Sequence, residues 1–220
     1  MARPATDIEA GRAQLLDLVE QLFDERGAME LTLAELAAHA QMSPANIYRF
    51  FENKEALFEA IAERWFAAKV AIMDDVIASD APIRDKFFDF YARRFDLMVG
   101  QYRENPILFE SYCELGQQHF DTIRSYIDLG DHNLAVLIGE AKAEGYFPAM
   151  SIDSAISHIN LMVHVFVNPK AIVLIQPTPT TAKLRAILDA IFDGLGRVAV
   201  DGAAAEHDAA PHRHGLRVVE

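Results

Sequence analysis

The stretch Leu31-Thr32-Leu33-Ala34-Glu35-Leu36-Ala37 and, five residues later, Ser43-Pro44-Ala45-Asn46-Ile47-Tyr48-Arg49-Phe50-Phe51-Glu52-Asn53-Lys54 decides the fold of this chain. Thr32 and Glu35 stand three apart ahead of an apolar run. At that spacing a Thr hydroxyl accepts from the third helical N–H while the Glu carboxylate reaches back to the cap. A helix over 33–40 follows, with Leu33, Leu36, Ala37 and Ala40 on its apolar face. Ser43-Pro44 restarts the chain, Ser as N-cap and Pro at the first helical position, where its missing N–H costs nothing. This third helix runs to about Phe51, because Asn53 caps a fourth beginning at Lys54.

Two helices this short do not hold alone. They pack on each other and on a helix over 12–26, whose stripe is Leu15, Leu16, Val19, Leu22 and Phe23 and which Gly27 stops. Three short helices, the second and third joined by Gln41 and Met42, have the outline of a helix-turn-helix. The same spacing also suits any small three-helix bundle, and a turn of this kind often carries a Gly that is missing here.

Outward from this segment the chain reads as helix after helix, without an Asn-Gly or Asp-Gly hairpin turn. Leu57, Phe58, Ile61, Trp65 and Val70 carry the fourth helix into the low seventies. Pro82 opens the next, which Asn105-Pro106 ends. A shorter piece spans 107–116, and a long one spans 118–144 before Gly145. Ile152, Ile156, Ile159, Val163 and Phe166 step by four, three, four and three, and Leu184, Leu188, Ile191, Leu195 and Val198 step identically. The stretch 168–180, with Pro169, Pro177 and Pro179, is a connection of open form. From Asp201 the composition shifts to Ala, His and Gly, which predicts a disordered tail over 201–220.

Composition bounds the function. The 220 residues are 51% hydrophobic and 24% charged, enough apolar material for a packed core. No apolar run approaches the roughly 18 residues of a membrane span, and Met1–Arg12 lacks the hydrophobic segment of a signal peptide. One cysteine, Cys113, forms no internal disulfide and fits a cytoplasmic protein. The net charge of −13 argues against non-specific coating of nucleic acid but leaves room for a small basic face.

A recognition helix enters the major groove with its N-terminal residues at the base edges. Pro44 and Ala45 allow close approach, Asn46 can pair with adenine, and Arg49 can reach guanine or a phosphate. The Tyr48 hydroxyl, Lys54 and the N–H groups opening the fourth helix suit phosphate. Tyr48 as a half-buried core aromatic and Lys54 as an ordinary solvated charge are the plainer alternatives. Residues 1–54 hold five basic groups against nine acidic ones, so the acids have to point away from any DNA. One small basic footprint binds weakly, and two copies on one duplex repair that, so this reading requires a homodimer.

The residues quoted above, with Asn53-Lys54-Glu55-Ala56-Leu57, resemble the signature of TetR-type transcriptional regulators over about residues 10–65. Gln41 stands where the family's turn customarily has Gly. The resemblance implies an all-α protein of about nine helices: an N-terminal three-helix helix-turn-helix domain over 1–54 and a larger C-terminal effector-binding and dimerisation domain over 55–200. It implies contacts to double-stranded DNA from Thr32, Ser43, Pro44, Ala45, Asn46, Tyr48, Arg49 and Lys54. It further implies a cavity among the middle helices for a small-molecule effector, a dimer built by the last two helices, and repression as the family's habit.

Composition is compatible with an effector site, since residues 83–127 hold ten of the 21 aromatics. An apolar pocket needs a few polar groups to orient its guest. The candidates are Trp65, Phe87, Tyr91, Arg94, Phe95, Met98, Tyr112, His119, Tyr126, His158 and His164, each of which could instead fill core. The paired stripes fit a four-helix interface between two copies through Ile156, Ile159, Val163, Leu184, Leu188, Ile191 and Leu195, or else each faces the chain's own core.

Nothing assembles into an enzyme. There is no Gly-x-Ser-x-Gly, P-loop or Gly-x-Gly-x-x-Gly, and Cys113 has no diagnostic neighbours. Glu110 and Glu114 with His158 and His164 lack the Glu-x-x-His pattern of a carboxylate metal site, so neither metal nor cofactor is expected. The competing function class is an all-helical small-molecule-binding or protein-interaction module without sequence-specific DNA binding.

Overall fold

A computed structural model describes residues 5–26, 31–175 and 178–195. Among these residues there are eleven helices and no strand. The head consists of α1 (Ala5–Arg26), α2 (Leu33–His39) and α3 (Pro44–Ile47). The body consists of α4 (Lys54–Ala78), α5 (Ile83–Glu104), α6 (Pro106–Gln118), α7 (Phe120–Ala143), α8 (Ile152–Met162), α9 (His164–Val167), α10 (Pro169–Ile175) and α11 (Thr181–Gly194).

Local signals set most ends. Thr32 Oγ1 accepts from the Glu35 N–H at 3.2 Å and Glu35 Oε2 accepts from the Thr32 N–H at 2.9 Å, which completes the capping box of α2. The other end of α2 closes through Gln41 N–H to the Ala38 carbonyl at 3.1 Å and Met42 N–H to the Ala37 carbonyl at 2.8 Å, with Gln41 at φ 53°. That is a Schellman close with a residue other than Gly in the left-handed position. The same close ends α7 at Gly145, φ 91°.

The head's core gathers Leu15, Val19, Leu22, Phe23, Leu36, Ile47, Phe51, Leu57 and Phe58, and it also includes Tyr112 and Leu115 from α6. The larger core surrounds α5, which packs on α4, α6, α7, α9, α10 and α11.

The helix count exceeds nine because the expected helix over 152–166 breaks. At Val163 the backbone tightens, and Phe166 N–H bonds the Val163 carbonyl, three residues back, at 2.8 Å. Within the stretch left open, 168–180, Pro169–Ile175 is helical: Pro169 starts α10, and burial of Ile172 overrides its strand preference. The third helix is shorter than 43–51, since Arg49 and Phe50 bond three residues back and the chain turns through Tyr48–Phe50. The tail 201–220 and Val198 lie outside the described residues.

The stripes do not form an exposed seam. Ile159, Val163 and Leu184 are 0% exposed, and Leu188 and Ile191 are nearly so, all within one chain. Ile156 and Leu195 pack partly buried on the same core. A stripe at helical spacing marks a buried face without saying what buries it, and here α5 and α7 do. The large apolar side chains left in solvent on α8 and α10 are Ile152, which begins the stripe, with Leu161 (78% exposed), Met162, Leu174 (80%) and Ile175.

Candidate nucleic-acid interface and effector region

At the head, Ile47 and Phe51 are sunk in the core and fix the segment between them. Ser43, Pro44, Ala45, Tyr48 and Arg49 are left exposed, with Asn46 and Lys54 half-buried beside them. Tyr48 is 58% exposed, so it is not a core aromatic. Ser43 occupies the N-cap position of α3 but its hydroxyl makes no capping bond. Arg49 Nη1 approaches Asn46 Oδ1 at 3.4 Å, which places the two base-reading candidates side by side. Asn53 Oδ1 takes the Ala56 N–H at 2.7 Å, and Lys54 Nζ lies 5.2 Å from the Phe58 ring centroid.

Several of the head's acids are engaged away from this edge. Asp17 and Glu20 are held by Arg64 of α4 at 2.5 and 3.1 Å, Glu20 also takes the Tyr112 hydroxyl, and Asn105 donates to Asp24. Hydrogen bonds from Thr32 hold the Glu35 carboxyl below its usual range and keep it in the cap. Asp17, Glu20, Asp24 and Glu35 are thus taken up away from Arg49 and Lys54, while Glu52 and Glu55 beside those cations stay exposed.

In the body the candidate effector residues divide into separate groups. Trp65 stacks on Tyr112 at 4.3 Å, Tyr126 stacks on Phe66 at 4.3 Å, and the His119 ring lies 3.8 Å from that of Phe58. Burial pushes the His119 imidazole below its ordinary range, toward the neutral form. Phe58, Trp65, Tyr112 and His119 line a crevice closed by Gly116, Thr122 and Ile123, with room for one water at about 10 Å³. Tyr91 donates to Asn160 Oδ1 at 3.2 Å, and Asn160 in turn donates to Asp131.

Phe87 packs against Phe192, and Phe95 against Phe166. Together with Met98, these residues are solid core rather than cavity wall. His158 is exposed on α8 and bonded to the Ser154 carbonyl, and His164 is exposed as well, so neither faces the interior. The aromatic count over 83–127 therefore reflects packing more than a site.

Sequence reasoning missed Lys69, which is 6% exposed, and Cys113 beside it. The signal was available in Ala67-Ala68-Lys69-Val70-Ala71-Ile72-Met73, a lone cation in an apolar helical run. Among the described residues no three His, Cys, Asp or Glu side chains converge as metal ligands, and no helix is long and apolar enough to cross a membrane.

Comparison with known proteins agrees with this geometry. Residues 15–61 match the family described as bacterial regulatory proteins, tetR family, and residues 84–188 match the tetracyclin repressor-like C-terminal domain. An uncharacterized helix-turn-helix transcriptional regulator of Haemophilus influenzae is 26% identical over 98 residues, 44% of this chain and 50% of that protein. The fatty acid metabolism regulator protein of Bacillus subtilis is 21% identical over 122 residues, 54% of this chain and 63% of the other. The matches thus span half to under two thirds of these two relatives. The fatty acid degradation regulator FadR of Bacillus halodurans superposes with a TM-score of 0.59 at 18% identity, over 83% of this chain and 98% of that one, a likeness of fold. The chain belongs to the TetR family of bacterial transcriptional regulators.

Proposed function

We propose that the protein is a transcriptional repressor that binds a two-fold operator as a homodimer and is released by a small effector with an apolar body. The observation that carries this reading is the exposed set Ser43, Pro44, Ala45, Tyr48 and Arg49 with half-buried Asn46 among them, held on one edge by buried Ile47 and Phe51 while Asp17, Glu20 and Asp24 are tied up elsewhere. Asn46 and Arg49 read base edges, and Ser43, Tyr48 and Lys54 hold phosphates. Thr32 keeps α2 in register through its cap and adds its exposed position to the backbone contacts.

The dimer face is assigned to the outward side of α8 and α10, where Leu161, Met162 and Leu174 stand in solvent. The effector region is assigned to the packing of α4, α6 and α7 around Trp65, Tyr112, His119 and Tyr126. Helix α4 runs unbroken from Lys54 at the DNA edge to this region, so a ligand that parts α4 from α7 has differential affinity for two placements of the head. The relatives from Bacillus subtilis and Bacillus halodurans, named as regulators of fatty acid metabolism and of fatty acid degradation, support an apolar effector.

The test is a gel shift with DNA flanking the gene, repeated over a salt series. Binding that weakens steeply with salt and survives competitor DNA supports the regulator. Silence at low salt favours a helical module without operator recognition.

A further inference from the structure

We infer that Lys69 of α4 and Arg94 of α5 form a head-group site for a carboxylate carried on an apolar body. The inference deepens the effector reading above and rests on it. Lys69 Nζ is buried, donates only to the Trp65 carbonyl of its own helix at 3.0 Å, and lies 3.7 Å from the Trp65 ring centroid. Arg94 Nε donates to the Phe90 carbonyl at 2.6 Å, and its Nη1 meets the Met73 sulfur at 3.5 Å. Arg94 is near enough to disfavour the Lys69 charge, and among the described residues neither cation has a carboxylate within ion-pair distance: Asp131 takes the Asn160 amide instead, and Glu110 lies toward Cys113.

Other cations at the edge of the body's core are neutralised or held by carbonyls: among the described residues Lys142 gives its ammonium to the Phe147 and Met150 carbonyls. Lys86, the other buried lysine, pairs with Glu140 at 2.9 Å, and Arg64, Arg84, Arg93 and Arg185 all have acidic partners. A pair of unneutralised cations in an apolar interior is costly, and an anion placed between them removes that cost. The neighbouring Cys113 thiol cannot serve, because burial pushes it up to about 11 and keeps it neutral.

The surroundings define the anion. Arg94 presents a planar fork that suits a two-oxygen acceptor. Trp65, Phe66, Met73 and Phe90 around the cations suit an apolar body and disfavour a phosphate dianion. On the α7 side Gly130 borders the site: a Cβ there would stand in ordinary contact, 4.0 Å, with Arg94 Nη1. Lys69 also connects to the head, since Trp65 stacks on Tyr112 and the Tyr112 hydroxyl holds Glu20 of α1.

The chain has a single tryptophan, Trp65, so its emission reports this site directly. The full-length protein is titrated with dodecanoate, 4-phenylbutyrate, the methyl ester of each, and inorganic phosphate. At least one carboxylate should change Trp65 emission saturably and bind about tenfold or more tighter than its ester, with phosphate silent. Lys69→Met and Arg94→Met should each lose about tenfold, while Lys69→Arg keeps most of the affinity.

Lys69→Met removes a buried charge, so it stays folded and decides the matter if Arg94→Met does not fold. Equal binding of acid and ester, unchanged affinity in folded Lys69→Met, or no saturable response to either acid overturns the proposal. A parallel operator gel shift separates the two readings. Esters that release DNA as well as acids do leave the effector reading standing without the anion site. Acids that bind through Lys69 yet never release DNA leave the site standing without the effector reading.

Discussion

The Tyr112 hydroxyl donates to Glu20 Oε1 at 2.6 Å, a bond between residues 92 apart that ties α6 of the body to α1 of the head. Burial and the adjacent carboxylate drive the Tyr112 hydroxyl above its ordinary range, so it stays a donor at any physiological pH. Phe23 meets the same ring edge-on, and Trp65, which packs on both cores, covers one face. Replacing Tyr112 with Phe keeps the ring and deletes the bond. Stability should fall by about 1 kcal/mol, and effector-induced loss of operator affinity should shrink more than effector binding itself. Paired titrations of ligand and DNA on the variant check this.

Lys69 gives stability a distinctive pH dependence. Burial lowers its ammonium to about 7, against an upward pull from Cys113 and with a smaller downward push from Arg94. The folded chain therefore holds fewer protons than the unfolded one between about pH 7 and the ordinary lysine range, so stability rises with pH there. Above pH 9 the raised Cys113 thiol acts in the opposite direction, which leaves pH 7 to 9 as the clean window. Lys69→Met should flatten the rise and add about 1–4 kcal/mol at pH 7. Urea midpoints across that window measure both.

Gln41 sits at φ 53°, where side chains other than Gly are strained. Gln41→Gly should stabilise the protein by roughly 0.5–1 kcal/mol, the relief of strain exceeding the entropy added to the unfolded chain. Operator affinity should hold, since the residue closes the turn rather than reading bases. A lower urea midpoint with unchanged slope would contradict the strain argument.

Arg49→Ala should lower operator affinity by about 1–3 kcal/mol and relax preference at one base position. Lys54→Ala should weaken all DNA alike and reduce the salt slope by about one. Anisotropy titrations on operator and scrambled duplexes separate the two roles.

Leu161→Lys with Leu174→Lys should convert dimers to monomers while far-UV circular dichroism stays unchanged. Leu188→Lys should instead unfold the chain, because it forces an unpaired charge into a filled core. Sedimentation alongside thermal unfolding distinguishes an exposed seam from a packed one.

The contrast between Leu161 and Leu188 marks how far sequence reasoning reached. Thr32 with Glu35, Pro44 and Asn53 announced the ends of α2, α3 and α4 because each signal is a local hydrogen bond or a fixed torsion. Exposure of Tyr48 and Arg49 follows equally locally, since burial of Ile47 and Phe51 on the same short segment leaves them outside. Ile159 and Leu188 were legible as buried, but periodicity names no partner, and α5 rather than a second copy covers α11. The break at Val163 left no signal, because its side chain stays on the same apolar stripe. Lys69 was readable in principle, as a cation whose helical neighbours are Ala and Val. What it lacks, a carboxylate, became visible only once the surrounding helices were in place.

Across the 25 residues of α4 there is neither proline nor glycine, so nothing along it can act as a hinge. Whatever shifts its middle must tip it whole, like a rod about 37 Å long. A tilt of about 5° about the Ala78 end carries Lys54 through about 3 Å, and a symmetric pair doubles the error against a groove repeat of about 34 Å. In the proposed dimer, modest swelling around Trp65 would thereby be enough to put both heads out of step with the duplex.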